Sequence, residues 1–253
     1  MKLINLFKYI PVFLRLKHDQ DLAFNLVTKL AGRVLPEYRF TWPNLTWWKN
    51  AEFNEYLKLF DEDKGFNTHR RWALNQLIRL TADIQGDTAE CGVYKGCSSY
   101  AILQSNKHSK IKRWHHVFDS FEGLSLPSDK DNDYWTPGDL SISEKIVEKN
   151  LAEFDGVTLY KGWIPSRFNE VSDRQFSFVH VDVDLYQPTF DSLAFFYDRL
   201  AKGAIFLCDD YGFDSCVGAT TAIDDFLKSK PEKMIALPDG GGFFIKNCTT
   251  AEK

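Results

Sequence analysis

The sequence lacks three things that would have directed its reading elsewhere: paired cysteines, an excess of basic residues and a long apolar run. Its five cysteines (Cys91, Cys97, Cys208, Cys216, Cys248) form no C-x-x-C pair and have no histidine at zinc-finger spacing. An odd number in a chain of 253 residues also fits no disulfide framework. They read as reduced, mostly buried small hydrophobes of a cytoplasmic protein. The formal net charge of -4 gives no electrostatic reason to bind nucleic acid phosphates, which excludes that partner class. Lys8 and Pro11 interrupt the apolar N-terminus and no small-residue cleavage site follows. No stretch reaches the roughly 18 apolar residues that span a bilayer, so a soluble chain without a transmembrane segment is expected. Internal repeats and low-complexity linkers are absent as well.

What is present suffices for one α/β domain. The chain is 44% apolar and 15% aromatic, enough for a full core plus an appendage of some tens of residues. Residues 1–68 are expected to form an N-terminal helical extension or cap, and residues 69–253 the functional domain. In the extension, Leu3, Leu6, Phe7 and Ile10 fall at helical spacing beside Lys2 and Lys8. That face is expected to pack on the protein's own core, with peripheral contact to a membrane surface or a partner subunit as the alternative. The aromatic segment Trp42 to Trp48 offers either a junction with the domain or a sugar-stacking lid, and a homo-oligomer is expected.

From Thr68 onward strands and helices alternate. Residues 70–84 read as a helix with Trp72, Leu77, Ile78 and Leu80 on one side; GDTAECGV is a strand entering a glycine turn, and SSYAILQS the helix after it. The alternation continues through WHHVFDS, SISEKIVEKNLAEF, VTLYKG, FSFVHVDVD, FDSLAFFYDRL, GAIFLCDDY and TTAIDDFLKS. Such a pattern implies a Rossmann-like fold, a mostly parallel sheet with helices on both faces. MIALPDGGGFFIKN reads as a terminal antiparallel hairpin turning at Asp239 to Gly242.

The first loop, Glu90-Cys91-Gly92-Val93-Tyr94-Lys95-Gly96, spaces its glycines four apart and lacks the G-x-G-x-x-G order of dinucleotide sites. A pyrophosphate on a helix N-terminus wants no nearby anion. S-adenosylmethionine carries a sulfonium cation and an amino group, so an acid at the loop entrance suits it better, and glycine lets the cofactor approach the backbone. The next strand ends at Asp119, 29 residues after Glu90, where a carboxylate can accept both ribose hydroxyls. Capping of a following helix by Asp119 and Ser120 is the structural alternative.

Two further strands end in paired acids, Asp182 with Asp184 and Asp209 with Asp210. In an open parallel sheet, ligands bind outside the carboxyl ends of the strands, and these two strands are expected to be neighbours. Four converging carboxylates repel one another unless a cation is present, and oxygen-only ligands select a hard ion such as Mg²⁺. Period-two alternation puts His180, Asp182 and Asp184 on one side of their strand. His180 is a second base candidate, or a hydrogen-bonded core residue.

The segments AECGVYKG, VFDSFEGL, GDLSISEKIVEKNL, YKGW, HVDVDLYQPTFDSL and LAKGAIFLCDDYG resemble the macrocin O-methyltransferase (TylF-type) family, in order and spacing, from about Arg70 to Lys246. The resemblance implies a class I methyltransferase fold and Mg²⁺-dependent methylation of a sugar hydroxyl of a glycoside or of a polysaccharide or glycolipid precursor. It implies that Asp182, Asp209 and Asp210 hold the metal, that Asp184 is the general base, and that Glu90, Gly92, Gly96, Asp119 and Ser120 contact S-adenosylmethionine. Val183 and Cys97 stand where many members have glycine. Two other readings remain open from the residues: a glycosyltransferase using Asp182-Val183-Asp184 as a D-x-D motif, and an inactive binding or assembly protein of the same fold.

Overall fold

The computed structural model describes residues 19–34, 46–63 and 67–247, and the chain divides into two compact units at Leu59/Phe60. In the first unit, α1 (Gln20–Val34) and α2 (Ala51–Leu59) are each opened by a capping side chain. Asp19 Oδ1 accepts from Leu22 N at 3.0 Å, and Asn50 Oδ1 from Phe53 N at 2.8 Å. Trp47 and Trp48 stack at 5.0 Å within this unit. The expectations for Leu3 to Ile10, for Trp42 and for Cys248 lie outside the described residues.

The second unit begins at Phe60, and within it Glu62 Oε2 accepts from Arg71 Nε at 3.0 Å and Asn67 Oδ1 accepts from Arg70. Its sheet has seven strands in the order β3-β2-β1-β4-β5-β7-β6. They are β1 (Asp87–Cys91), β2 (His115–Asp119), β3 (Val157–Lys161), β4 (Phe176–Val181), β5 (Leu200–Cys208), β6 (Ile235–Ala236) and β7 (Gly242–Ile245). The helices are α3 (Thr68–Leu77), α4 (Cys97–His108), α5 (Glu144–Leu151), α6 (Tyr186–Tyr197) and α7 (Val217–Leu227). The first five strands are parallel, while β7 runs antiparallel to both β5 and β6.

This order creates the crevice. The chain builds outward from β1 to β3, then returns to place β4 on the other side of β1, so the connections diverge between β1 and β4. A ligand site forms outside the carboxyl ends at such a point. β4 is buried along its whole length, as a central parallel strand covered on both faces must be. Its own Phe176 and the surrounding Phe118, Phe168, Phe196, Phe206 and Phe244 are fully buried, each contributing about 1.5–3 kcal/mol of transfer free energy.

Four local expectations change. The helix after Thr68 ends at Leu77 and tightens into a 3-10 turn, Ile78–Thr81, whose larger rotation per residue carries Leu80 outward while Leu74, Leu77 and Ile78 stay buried. Helix α6 begins at Tyr186, four residues before the expected Phe190, because Pro188 falls in its first turn, where a missing N–H has no intrahelical partner to lose. Strand β4 stops at Val181 and Asp184 takes a left-handed φ of 60°, so the period-two argument does not carry from His180 to Asp184. The hairpin turn spans residues 237–241, beginning two residues before the expected Asp239 and ending one before Gly242, which already pairs with Ala236 and Cys208.

Candidate active site at the strand ends

The glycine loop is shaped by packing before any ligand arrives. Gly92 has φ 81°, and a Cβ there would lie 1.8 Å from the carbonyl oxygen of Asp182. Glycine is therefore required by the close approach of the β1 and β4 ends, which Asp182 N ties to Cys91 O at 2.9 Å. Gly96 is the left-handed N-cap of α4, with φ 89°. Asp119 binds the loop from β2: its Oδ2 accepts from Val93 N at 2.8 Å and its Oδ1 from Phe121 N at 2.7 Å. Ser120 Oγ donates to Gly123 O at 3.1 Å. The next helix is α5, far along the chain, so these two residues cap no helix.

Glu90 lies beneath this loop and is fully buried. One oxygen accepts from Ser99 in α4, and the other faces His180 Nδ1 at 2.8 Å. His115 Nε2 lies 3.1 Å from Ser99 Oγ and 3.8 Å from Glu90 Oε2. Burial alone would raise the Glu90 carboxyl, but hydrogen bonds from His115 and His180 outweigh it and hold it near about 2. Glu90, expected to face the cofactor's cation, thus meets two buried imidazoles. His180 has no exposed surface, which leaves it no open face as a catalytic base.

The strand-end acids do converge, in two groups. Ligating atoms of His180, Asp182 and Asp209 lie within 4.8 Å of one another, and so do those of Asp184, Asp210 and Cys216. Asp182, Asp209 and Asp210, the expected metal trio, straddle the two. Asp210 Oδ2 accepts from the backbone of Val183 at 3.0 Å and Asp184 at 2.8 Å, fixing the turn that presents Asp184. Cys216 Sγ donates to Asp184 Oδ1 at 3.3 Å and receives Trp135 Nε1 at 3.5 Å. Trp135 belongs to a segment also tied down by Asp131 Oδ1, which accepts from Tyr186 N at 2.8 Å.

Helix α3 adds cations that sequence reasoning missed. Arg70 Nη1 donates to Asp209 Oδ2 at 2.5 Å, and Arg71 Nη1 lies 3.6 Å from Asp209 Oδ2 and 3.8 Å from Asp182 Oδ2. The adjacent Arg70 and Arg71 ahead of an acid-rich sheet were the available signal. Ser99, His115 and Cys216 carried none, because nothing in their local sequence says which strand end they face.

The Macrocin-O-methyltransferase (TylF) family profile matches residues 69–239. The chain belongs to this family. It is accordingly an S-adenosylmethionine-dependent O-methyltransferase with a class I fold, which selects methyl transfer over the glycosyltransferase reading. Among its relatives, the 8-demethyl-8-(2,3-dimethoxy-alpha-L-rhamnosyl)-tetracenomycin-C 4'-O-methyltransferase of Streptomyces olivaceus is 28% identical, across 92% of this chain and 94% of the relative. The solved O-methyltransferase NovP superposes with a TM-score of 0.58 at 22% identity, covering 70% of this chain and 79% of that one. The calicheamicin methyltransferase CalS11 gives 0.63 at 17% identity, with 85% and 97% covered. Among the described residues no helix is long and apolar enough to cross a membrane.

The electrostatics of this methyltransferase leave room for a divalent cation. Burial first, then Asp209, pushes Asp182 up to about 7. Burial likewise takes Asp184 up to about 6, against the hydrogen bond from Cys216. Asp210 rises well above the usual range through burial and then Asp184, Asp182 and Asp209. Asp209 alone is held far down, because Arg70, Arg71 and His180 together outweigh its burial. Carboxylates outnumber the neighbouring cations, and the donors are mostly hard oxygens, so the residues fit Mg²⁺.

A stability test follows from these directions. Asp182 and Asp184 are raised in the folded state, so their contribution is complete below the unfolded value of 3.8 and is lost as pH rises through about 6 to 7. Glu90 acts oppositely, losing its contribution as pH falls from 4.5 toward about 2. His180, raised to about 9, loses its contribution only above 6.5. In chelator, the melting temperature should fall between pH 5 and pH 8, and Mg²⁺ should restore it at pH 8 while doing little at pH 5. Equal Mg²⁺ effects at both pH values in a thermal melt would contradict the assigned cluster.

Proposed function

We propose that this enzyme methylates a sugar hydroxyl, with Mg²⁺ held by Asp182, Asp209 and Asp210 and with Asp184 as the general base. The observation that carries this reading is the convergence of the strand-end acids, with Asp184 on a turn of its own that the Asp210 carboxylate fixes and with its carboxyl raised toward neutral pH. The relatives support the acceptor class: one is named for a rhamnosyl 4'-O-methylation, and CalS11 is described as a TDP-rhamnose 3'-O-methyltransferase.

When bound, Mg²⁺ would lower the pKa of the acceptor hydroxyl. Asp184 takes the hydroxyl proton as the oxygen forms its bond to the methyl carbon and the carbon–sulfur bond breaks, leaving S-adenosylhomocysteine. Asp119 and Ser120 receive the ribose, and the Gly92 to Gly96 turn admits the methionine end. Glu90 supports that turn from below through Ser99. Trp135 and Cys216 keep Asp184 aimed.

Transfer of labelled methyl from S-adenosylmethionine, assayed across polysaccharide precursors and small glycosides, tests the proposal. Labelled glycoside is expected with Mg²⁺ and a large loss with chelator. Binding of S-adenosylhomocysteine without transfer to any glycan fraction would favour the inactive binding protein instead.

A further inference from the structure

His180 reaches from Glu90, beneath the glycine loop, to the acidic cluster. Its Nδ1 is 2.8 Å from Glu90 Oε1 and its Nε2 is 3.5 Å from Asp209 Oδ1. Nε2 is buried and makes no hydrogen bond in this structure, although a carboxylate oxygen stands in front of it. A buried polar nitrogen without a partner keeps its full desolvation cost, so a small shift of Asp209 toward His180 is favourable. Asp209 is restrained on its other side: Oδ2 is engaged by Arg70 and faces Arg71. Its position is therefore decided by the competition between the arginines and His180.

The other end of the imidazole is tied to the cofactor side. Glu90 accepts from Ser99, which lies in the first turn of α4, and Ser99 is in turn 3.1 Å from His115 Nε2. All four of these side chains, Glu90, Ser99, His115 and His180, are fully buried. Water cannot absorb a displacement at one end, and packed interiors transmit such shifts.

We propose that His180 is a positioning residue that couples cofactor binding to metal binding, ordering the loop through Glu90 and Ser99 while setting Asp209 for the ion. The inference rests on Asp209 being a metal ligand, as proposed above. A hydrogen bond made to the oxygen of a metal-binding carboxylate that faces away from the ion orients that carboxylate. Coupling between two sites is reciprocal, so each ligand should tighten the other by the same factor.

The test is calorimetric and needs no acceptor. S-adenosylhomocysteine is titrated into the protein with and without saturating Mg²⁺, and Mg²⁺ with and without S-adenosylhomocysteine; the product lacks the sulfonium charge, which removes direct repulsion between the ligands. The wild-type protein is expected to show one common factor, of about 5- to 150-fold, in both directions. In His180→Gln that factor should fall to near one while each ligand still binds alone. Glu90→Gln, which keeps the shape but drops the charge, should reduce the factor from the cofactor side and guards against a His180 variant that fails to fold. A factor of one in the wild type, or an undiminished factor in both variants, overturns the coupling and leaves the metal site standing. If Mg²⁺ does not bind the wild type at all, the metal assignment fails together with the coupling.

Discussion

Asp184→Asn should lower turnover by a factor on the order of 10² to 10⁴ while S-adenosylhomocysteine binds with nearly unchanged affinity. Asparagine is close to isosteric and can still accept from Cys216, so the turn between β4 and α6 survives; what is lost is a group able to take a proton. Two hydrogen bonds from the Val183 and Asp184 backbone to Asp210 hold that turn, and neither uses the Asp184 side chain. The proposed cofactor contacts lie on the β1 and β2 side, away from the substitution. The wild-type pH profile supplies a second reading of the same group. With a carboxyl pushed up to about 6, kcat should fall as pH drops below that value, and bound Mg²⁺ should move the fall to lower pH. Undiminished turnover in the variant would remove Asp184 from the mechanism.

Gly92→Ala should cost about 4 kcal/mol or more and abolish S-adenosylhomocysteine binding. The left-handed φ of 81° alone costs roughly 1–2 kcal/mol for a residue with a Cβ. The larger part is steric, because the new carbon would sit 1.8 Å from the Asp182 carbonyl oxygen and that atom is backbone. Relief requires the β1 and β4 ends to separate, which moves the cofactor loop and Asp182 together. Gly212→Ala is the matched control: its φ is 85°, but nothing lies within 4 Å of the added carbon, so only the conformational cost of about 1–2 kcal/mol applies. Urea denaturation of the two variants separates conformation from contact. Equal midpoints would show that the close approach of the strand ends is not what makes Gly92 necessary.

Much of this site could be read directly from the chain. The alternation of strands and helices is a local signal, because each apolar run must cover one face of the same sheet. The glycine turn, Asp119 and both acid pairs sit at strand ends, and in an open parallel sheet those ends meet. Packing adds reasons of its own for these residues: the Asp182 carbonyl requires glycine at position 92, and Glu90 lies against His180 and His115.

The sequence by itself determined a Rossmann-like domain with acids at two adjacent strand ends, since fold pattern and strand-end position are properties of short segments, and its resemblance to a known family supplied the methyltransferase reading. Only the tertiary structure decided how those acids divide: Asp209 with Arg70, Arg71 and His180, and Asp184 with Asp210 and Cys216. Arg70 is 139 positions from Asp209, and His180 is 90 positions from Glu90. The charge that each carboxylate carries depends on burial and on partners brought together by the crossover between β1 and β4, which no local pattern encodes.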